Sequence, residues 1–186
     1  MEDIPQDYNL AVYWYEQAAK QGHMSSQGSL AYMYYEGKVV PQNYRKSFYW
    51  YEKLTKKEDD FAVQYHLGEL YQRGLGTAQD YHQARYWYEK AAKHGDPYAQ
   101  KNLGEMYELG QGVAQDYRQA AYWYQKAEGV SSKAEFGVSD TAENNLGVLY
   151  YYGRGVEQDR NKALMYFQYA CRSGEKVACD NLLNFK

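Results

Sequence analysis

Gln115-Asp116-Tyr117-Arg118-Gln119-Ala120-Ala121-Tyr122-Trp123-Tyr124-Gln125 is one of five versions of a single block in this chain of 186 residues. The others run Gln6-Asp7-Tyr8 through Trp14-Tyr15-Glu16, Gln42-Asn43-Tyr44 through Trp50-Tyr51-Glu52, and Gln79-Asp80-Tyr81 through Trp87-Tyr88-Glu89. A degenerate copy spans Gln158-Asp159-Arg160 through Tyr166-Phe167-Gln168. Successive tryptophans lie 36, 37 and 36 residues apart. A fixed period of this length marks stacked helical hairpins, in which each unit buries its apolar face mainly against its neighbours. Such a stack works by holding a partner along its surface, not by enclosing a substrate in one cleft.

The stretch before the quoted block completes the unit. From about Tyr98 to Leu109, Ala99, Leu103, Met106, Tyr107 and Gly110 fall on one helical face. Gly104, beside Leu103, carries no side chain and lets a neighbouring helix come close. Gly110-Gln111-Gly112 ends this first-type helix, because glycine enters the left-handed region without a steric cost. Asp116 then caps a second-type helix whose inner face holds Ala120, Tyr124 and Ala127. The same pattern predicts first-type helices near residues 25–36, 60–73, 98–109 and 141–152. The chain opens on a second-type helix (about 8–21) and closes on a first-type one (about 177–185). The expected architecture is all-α, one stack of about ten helices over residues 1–186 with half-units at both ends.

Three departures break the pattern. Val39 stands where other copies carry glycine, and a β-branched side chain resists positive φ, so that turn takes a different path. Lys57-Glu58-Asp59-Asp60 replaces the usual interhelical glycine, and Val63 an alanine. Trp123 and Tyr166 are 43 residues apart, which places an insertion of about seven residues within 128–139, read as loop from its glycine and serine content. It serves either as a protruding contact with Phe136 at its tip or as a tolerated surface insertion.

Hydrophobic residues form 45% of the chain, enough for a continuous spine. Twenty-one basic and 24 acidic side chains give a formal charge of -3 and no basic stripe, which argues against a nucleic-acid partner. No apolar run approaches the ~20 residues that span a bilayer, so no membrane insertion is expected. Met1-Glu2-Asp3-Ile4-Pro5 lacks the basic and apolar regions of a secretory signal. The chain as given reads as cytoplasmic, or as periplasmic or secreted if an upstream signal peptide was removed.

Most of the 24 tyrosines have a packing role. Tyr15, Tyr51, Tyr88 and Tyr124 are expected on the buried face of second-type helices, and Tyr34, Tyr71, Tyr107 and Tyr150 on that of first-type helices. Tyr13, Tyr49, Tyr86 and Tyr122 precede the tryptophans and point away from that face. They form either an exposed row or packing between adjacent outer helices. His23, His66, His82 and His94 occupy unrelated repeat positions, none at metal-ligand spacing with a carboxylate or thiolate. No nucleophile-base signature and no phosphate loop on a strand occurs. The chain reads as non-catalytic, with no cofactor and no metal.

The alanine, leucine-glycine, methionine-tyrosine, paired glycines and tryptophan-tyrosine of these units resemble the Sel-1-like repeat, a relative of the tetratricopeptide repeat. The resemblance covers nearly the whole chain. It implies a right-handed α-solenoid of antiparallel helix pairs, with first-type helices lining a concave groove, and adaptor work on a protein or peptide partner, most often in bacteria. By analogy with the tetratricopeptide groove, the partner-binding positions are Tyr32, Tyr35, Tyr65, Glu69, Gln72, Arg73, Lys101, Glu105, Glu108, Asn144, Val148, Tyr151 and Tyr152. Cys171 and Cys179 stand at the spacing that clips helix pairs in the Helicobacter cysteine-rich subgroup. The resemblance thus implies a disulfide, whereas the residues alone equally suit two small side chains at a helix crossing. With the bond, the alternative role is a secreted or periplasmic module binding an envelope ligand such as a peptidoglycan fragment.

Overall fold

The computed structural model describes residues 8–56, 59–128 and 138–185. Within them the chain forms ten helices. The second-type helices are α1 (Tyr8–Lys20), α3 (Tyr44–Thr55), α5 (Tyr81–Lys93), α7 (Tyr117–Glu128) and α9 (Arg160–Ser173). The first-type helices are α2 (Met24–Glu36), α4 (Phe61–Arg73), α6 (Pro97–Leu109), α8 (Val138–Tyr152) and α10 (Lys176–Leu183). Glu128, Val138 and Ser139, read from sequence as loop, therefore lie in helices, while Phe136 falls outside the described residues, as do Lys57 and Glu58. The chain divides into two compact units, Met1–Ala84 and Arg85–Lys186, with the boundary inside α5.

Each letter of the repeated block has a structural task. Its glutamine ties the new helix to the old one. Gln42, Gln79, Gln115 and Gln158 donate from Nε2 to the carbonyls of Tyr35, Gln72, Glu108 and Tyr151, at 2.7–2.9 Å. Its acid or amide caps the helix: Asp116 Oδ1 accepts from the amides of Arg118 and Gln119 at 2.9 and 3.1 Å, and Asn43, Asp80 and Asp159 act alike. Each such cap is worth ~1 kcal/mol. The cap residue's own amide returns to the preceding first-type helix, as Asp116 N does to Tyr107 O at 2.9 Å. Two side-chain bonds and one backbone bond thus anchor every described first-to-second turn at its far end.

The glycines set how closely helices approach. A Cβ on Gly104 would lie 2.4 Å from the Tyr124 ring, and one on Gly147 2.6 Å from the Phe167 ring. The buried cores of α7–α9 close around these two rings, with Ala120, Ala127, Leu146 and Leu149. In the turns, Gly76 and Gly155 have φ of +74° and +69°, and a Cβ on either would fall within 2.4 Å of the backbone of Tyr44 or Tyr117. No described residue other than glycine has positive φ, so Val39 does not copy that turn, as its branched side chain requires.

Burial follows the repeat with instructive exceptions. Tyr51, Tyr88 and Tyr124 are buried as expected, but Tyr15 is 37% exposed because α1 has no first-type helix before it among the described residues. Tyr34 and Tyr150 are buried, while Tyr71 and Tyr107 are only half-buried. Tyr34 hangs its hydroxyl at the helix edge, donating to Glu16 at 2.7 Å and accepting from Lys46 at 2.9 Å. Tyr150 places its hydroxyl alike but accepts from both neighbours, Lys162 Nζ at 2.8 Å and Gln125 Nε2 at 3.3 Å.

Candidate partner-binding faces

In the first unit, α2 and α4 bring Tyr32, Tyr35, Tyr65, Glu69 and Arg73 of the sequence-derived positions together, and their centre is a residue the sequence reading passed over. His66 has Tyr35, Tyr65 and Tyr32 around it at ring-centroid distances of 5.0, 5.4 and 6.1 Å. Tyr51 of α3 stacks beneath it at 5.1 Å and 15°. Burial lowers the pKa of His66 below its ordinary value, partly offset by Glu69, Glu36 and Asp60, so the ring is neutral at pH 7. Tyr35 donates its hydroxyl to Glu69 at 2.6 Å, and Arg73 holds the other oxygen of that carboxylate at 2.8 Å. Burial, and then the hydrogen bond to Glu69, raise the Tyr35 hydroxyl well above its usual range, so it remains a donor. Tyr32 stays half-exposed at the rim, Arg73 is exposed and Gln72 half-buried. The result is an aromatic surface with one fixed charge pair at its edge.

In the second unit, α6 carries a polar face and α8 an aromatic one. Lys101 and Glu105 pair at 3.0 Å along α6, and Glu108 accepts from the Tyr124 hydroxyl at 2.7 Å. Asn144 does not face outward as the repeat analogy expected. It is 5% exposed, because Asn181 of α10 donates to its Oδ1 at 2.8 Å. Val148 and Tyr151 are half-buried and Tyr152 is exposed. Together with Phe167, Asn181, Asn184 and Phe185, these three line a cavity of about 100 Å³. Tyr151 meets the Phe185 ring at 5.5 Å, and Arg160 and Arg154 lie over the Tyr151 and Tyr152 rings at 5.1 and 4.8 Å. The signal for His66 and Asn181 was their place one residue before the leucine, where α6 and α8 carry Asn102 and Asn145.

The second tyrosine set is exposed. Tyr13, Tyr49, Tyr86 and Tyr122 each keep about half their surface open and meet the following tryptophan edge-on, at 4.9–5.3 Å. Lys53, Lys90 and Lys126 lie over the rings of Tyr49, Tyr86 and Tyr122 at 5.0–5.9 Å. Cys171 and Cys179 form a disulfide between α9 and α10, with Cα atoms 4.7 Å apart, closer than the ~5.5–6 Å commonest for such bonds. No cluster of metal-ligating side chains and no helix long and apolar enough to cross a membrane occurs among the described residues.

The Sel1 repeat family model matches residues 2–23, 25–59, 62–96, 97–128 and 141–175. Among solved structures, a Sel1 repeat protein from Oxalobacter formigenes is 31% identical, with a TM-score of 0.77 over 94% of this chain and 68% of that one. A protective antigen of uropathogenic Escherichia coli displaying an SLR fold is 27% identical, with a TM-score of 0.63 over 95% of this chain. The chain spans only 44% of that antigen. Cysteine-rich protein B of Helicobacter pylori, at 24% identity and a TM-score of 0.50, shares the fold. No curated protein matches significantly.

Proposed function

Because the chain belongs to the Sel1 repeat family, whose members act in general as protein-interaction scaffolds, we propose that it is a non-catalytic adaptor binding a protein or peptide segment along its first-type helices. The observation that carries this reading is the His66 face. Tyr32, Tyr35, Tyr65 and the Tyr35–Glu69–Arg73 chain are held in place by internal contacts, yet remain open on one side. Side chains already fixed lose little conformational freedom on binding, and aromatic and arginine groups are the usual anchors of an interface. Val148, Tyr151 and Tyr152 offer a second contact in the other unit. Crosslinking pull-down identifies the partner, and titration of that partner then tests the faces. Tyr32→Ala and Tyr152→Ala are expected to weaken binding each by several-fold, with far-UV circular dichroism unchanged. Full affinity in both variants moves the site off these helices.

The Cys171–Cys179 bond supports a second reading, a disulfide-bearing module of an oxidising compartment that binds an envelope ligand such as a peptidoglycan fragment. Thiol counting on protein from its native source, alkylated before lysis, decides it. Two free thiols remove this reading.

A further inference from the structure

Charges that look evenly mixed along the chain separate by helix type once the helices are set side by side. In the second unit, α6 and α8 carry Glu105, Glu108, Asp140 and Glu143 against one base, Lys101. α5 and α7 reverse the balance, with Arg85, Lys90, Lys93, Arg118 and Lys126 against Glu89 and Glu128. Both of these acids are half-buried and engaged, Glu89 by Arg85 and Glu128 by the Tyr166 hydroxyl at 3.2 Å. Arg85 also donates to Gly112 O at 3.3 Å, which ties α5 to the turn leading into α7. Beyond Arg85, the exposed side chains of these two helices are Tyr86, Lys93, Arg118, Tyr122 and Lys126, with Gln119 and Gln125. None is acidic and none is aliphatic.

One arrangement repeats on this face. Lys90 Nζ lies over the rings of Tyr86 and Trp87 at 5.0 and 5.3 Å, and Lys126 Nζ over Tyr122 at 5.6 Å. Neither ammonium has a carboxylate partner among the described residues. The rings orient each ammonium without using up its N–H groups, which stay available to an acceptor. We propose that the outer face of α5 and α7 is a docking surface for an acidic segment of a partner protein. Its carboxylates meet Lys90 and Lys126, and Tyr86 and Tyr122 pack against the chain between them. Charge complementarity selects this occupant. An anionic membrane needs an aliphatic face to bury, and this one has none. A nucleic acid, charged at every phosphate, is repelled by the net charge of -3 and by the acids of α6 and α8. A second copy has few acids to offer, because its Glu105 is held by Lys101, its Glu108 by Tyr124, and its Asp140 is 5% exposed.

The probe is a labelled oligoglutamate of about ten residues, ~33 Å when extended, titrated against the whole protein and followed by anisotropy. Saturable binding that weakens between about 0.05 and 0.3 M salt is expected. Lys90→Glu with Lys126→Glu is expected to bind at least about tenfold more weakly, since like charges then face each other. Tyr86→Ala with Tyr122→Ala is expected to lose several-fold. Lys38→Glu with Lys176→Glu makes the same change in net charge elsewhere and is expected to bind as the parent does. So is Tyr32→Ala, which separates this surface from the His66 face. Far-UV circular dichroism confirms that each variant folds. Absence of saturable binding, full binding by the lysine or the tyrosine variant, or an equal loss in the Lys38 and Lys176 control overturns the proposal. So does binding of an oligothymidylate of equal charge more tightly than the peptide, or sedimentation with phosphatidylserine vesicles, where the Lys90 and Lys126 reversal abolishes it. A homodimer that the same reversal dissolves overturns it too, since the occupant is then a second copy.

Discussion

Gly104 shows how one missing side chain decides the spacing of two helices. Alanine in a helix interior is favoured over glycine by ~1 kcal/mol, but here its Cβ would lie 2.4 Å from a ring with no room to retreat, since Tyr124 is fully buried. Overpacking of that kind costs ~1–3 kcal/mol and outweighs the propensity gain. Gly104→Ala is therefore expected to lower stability by up to ~2 kcal/mol in urea unfolding. Gly28→Ala is the opposite case: its Cβ would sit 3.7 Å from Leu54 Cδ1, an ordinary contact. It is expected to raise stability by up to ~1 kcal/mol. His66 gives a pH test. Its folded pKa lies below the unfolded value of 6.5, so below that pH the unfolded chain binds the proton more readily. The contribution of the neutral ring is present above pH 6.5 and shrinks as pH falls toward the folded value. The melting temperature is expected to fall between pH 7.5 and 5.5, and His66→Asn, the residue α6, α8 and α10 carry there, to flatten that slope relative to the parent. The role of Gly104 was legible because it recurs beside leucine. The role of His66 was not, because its repeat position marks it only as a departure from asparagine, and it takes three-dimensional packing to surround it with rings from α2, α3 and α4.

At three of the five junctions between a second-type helix and the next first-type helix, the chain uses one of two clips at the same pair of positions, while at the α3–α4 junction the equivalent Gln64 turns to Asp59. Gln27 Nε2 donates to Ala19 O at 2.9 Å, and Gln100 Nε2 to Ala92 O at 3.2 Å. At the last junction the pair is Cys171 and Cys179, and a covalent bond replaces the hydrogen bond. The substitution falls on the element that needs it. α10 has eight residues, too few for an isolated helix to hold in water, and Ala178 is its one buried side chain, with Leu183 84% exposed. Asn181 on Asn144, Phe185 against Tyr151 and Phe167, and Leu182 on the neighbouring cluster add to its anchorage. The chain-entropy estimate for this short loop is ~2–3 kcal/mol, against ~0.5–1.5 for a single hydrogen bond. Reduction is expected to raise amide exchange across α10 while leaving α6 and α7 protected. Cys171→Ala with Cys179→Gln rebuilds the inner clip and is expected to recover part of the loss, whereas Cys171→Ala with Cys179→Ala recovers none. Equal exchange in reduced and oxidised protein would show that α10 is held by its side-chain contacts alone. The cysteine pair was visible in the sequence through its repeat position, but the glutamine clip was not, since glutamine there also reads as a plain surface residue.

The repeat made helix number and order legible to within a few residues, because a period of 36 or 37 leaves few ways to bury Trp50, Tyr51 and Leu54 together. It overreached wherever it treated all copies as equivalent. Tyr15 matches Tyr51 in sequence, and Asn144 was placed outward by analogy, yet the first is exposed and the second buried, because burial depends on which neighbour is present. The same dependence governs how the molecule comes apart. In a linear array each helix is stabilised by the helices beside it, so helices flanked on one side open at lower free energy than those flanked on both. Among the described helices of the first unit that is α1, whose Trp14 and Tyr15 are exposed. In the second it is α10, while α7 and α8 share the buried cluster around Tyr124 and Leu146. Native-state amide exchange is expected to rank α1 least protected in its unit and α7–α9 most protected in theirs. Single-tryptophan variants give an independent reading. With Trp14 as the sole tryptophan, emission is expected to be red-shifted already in the native protein and to change little on unfolding. With Trp50 alone it should be blue-shifted and report the main transition, after far-UV circular dichroism has begun to register the loss of α1. A blue-shifted native spectrum for Trp14, with α1 amides as protected as those of α3, would mean that something already covers that face.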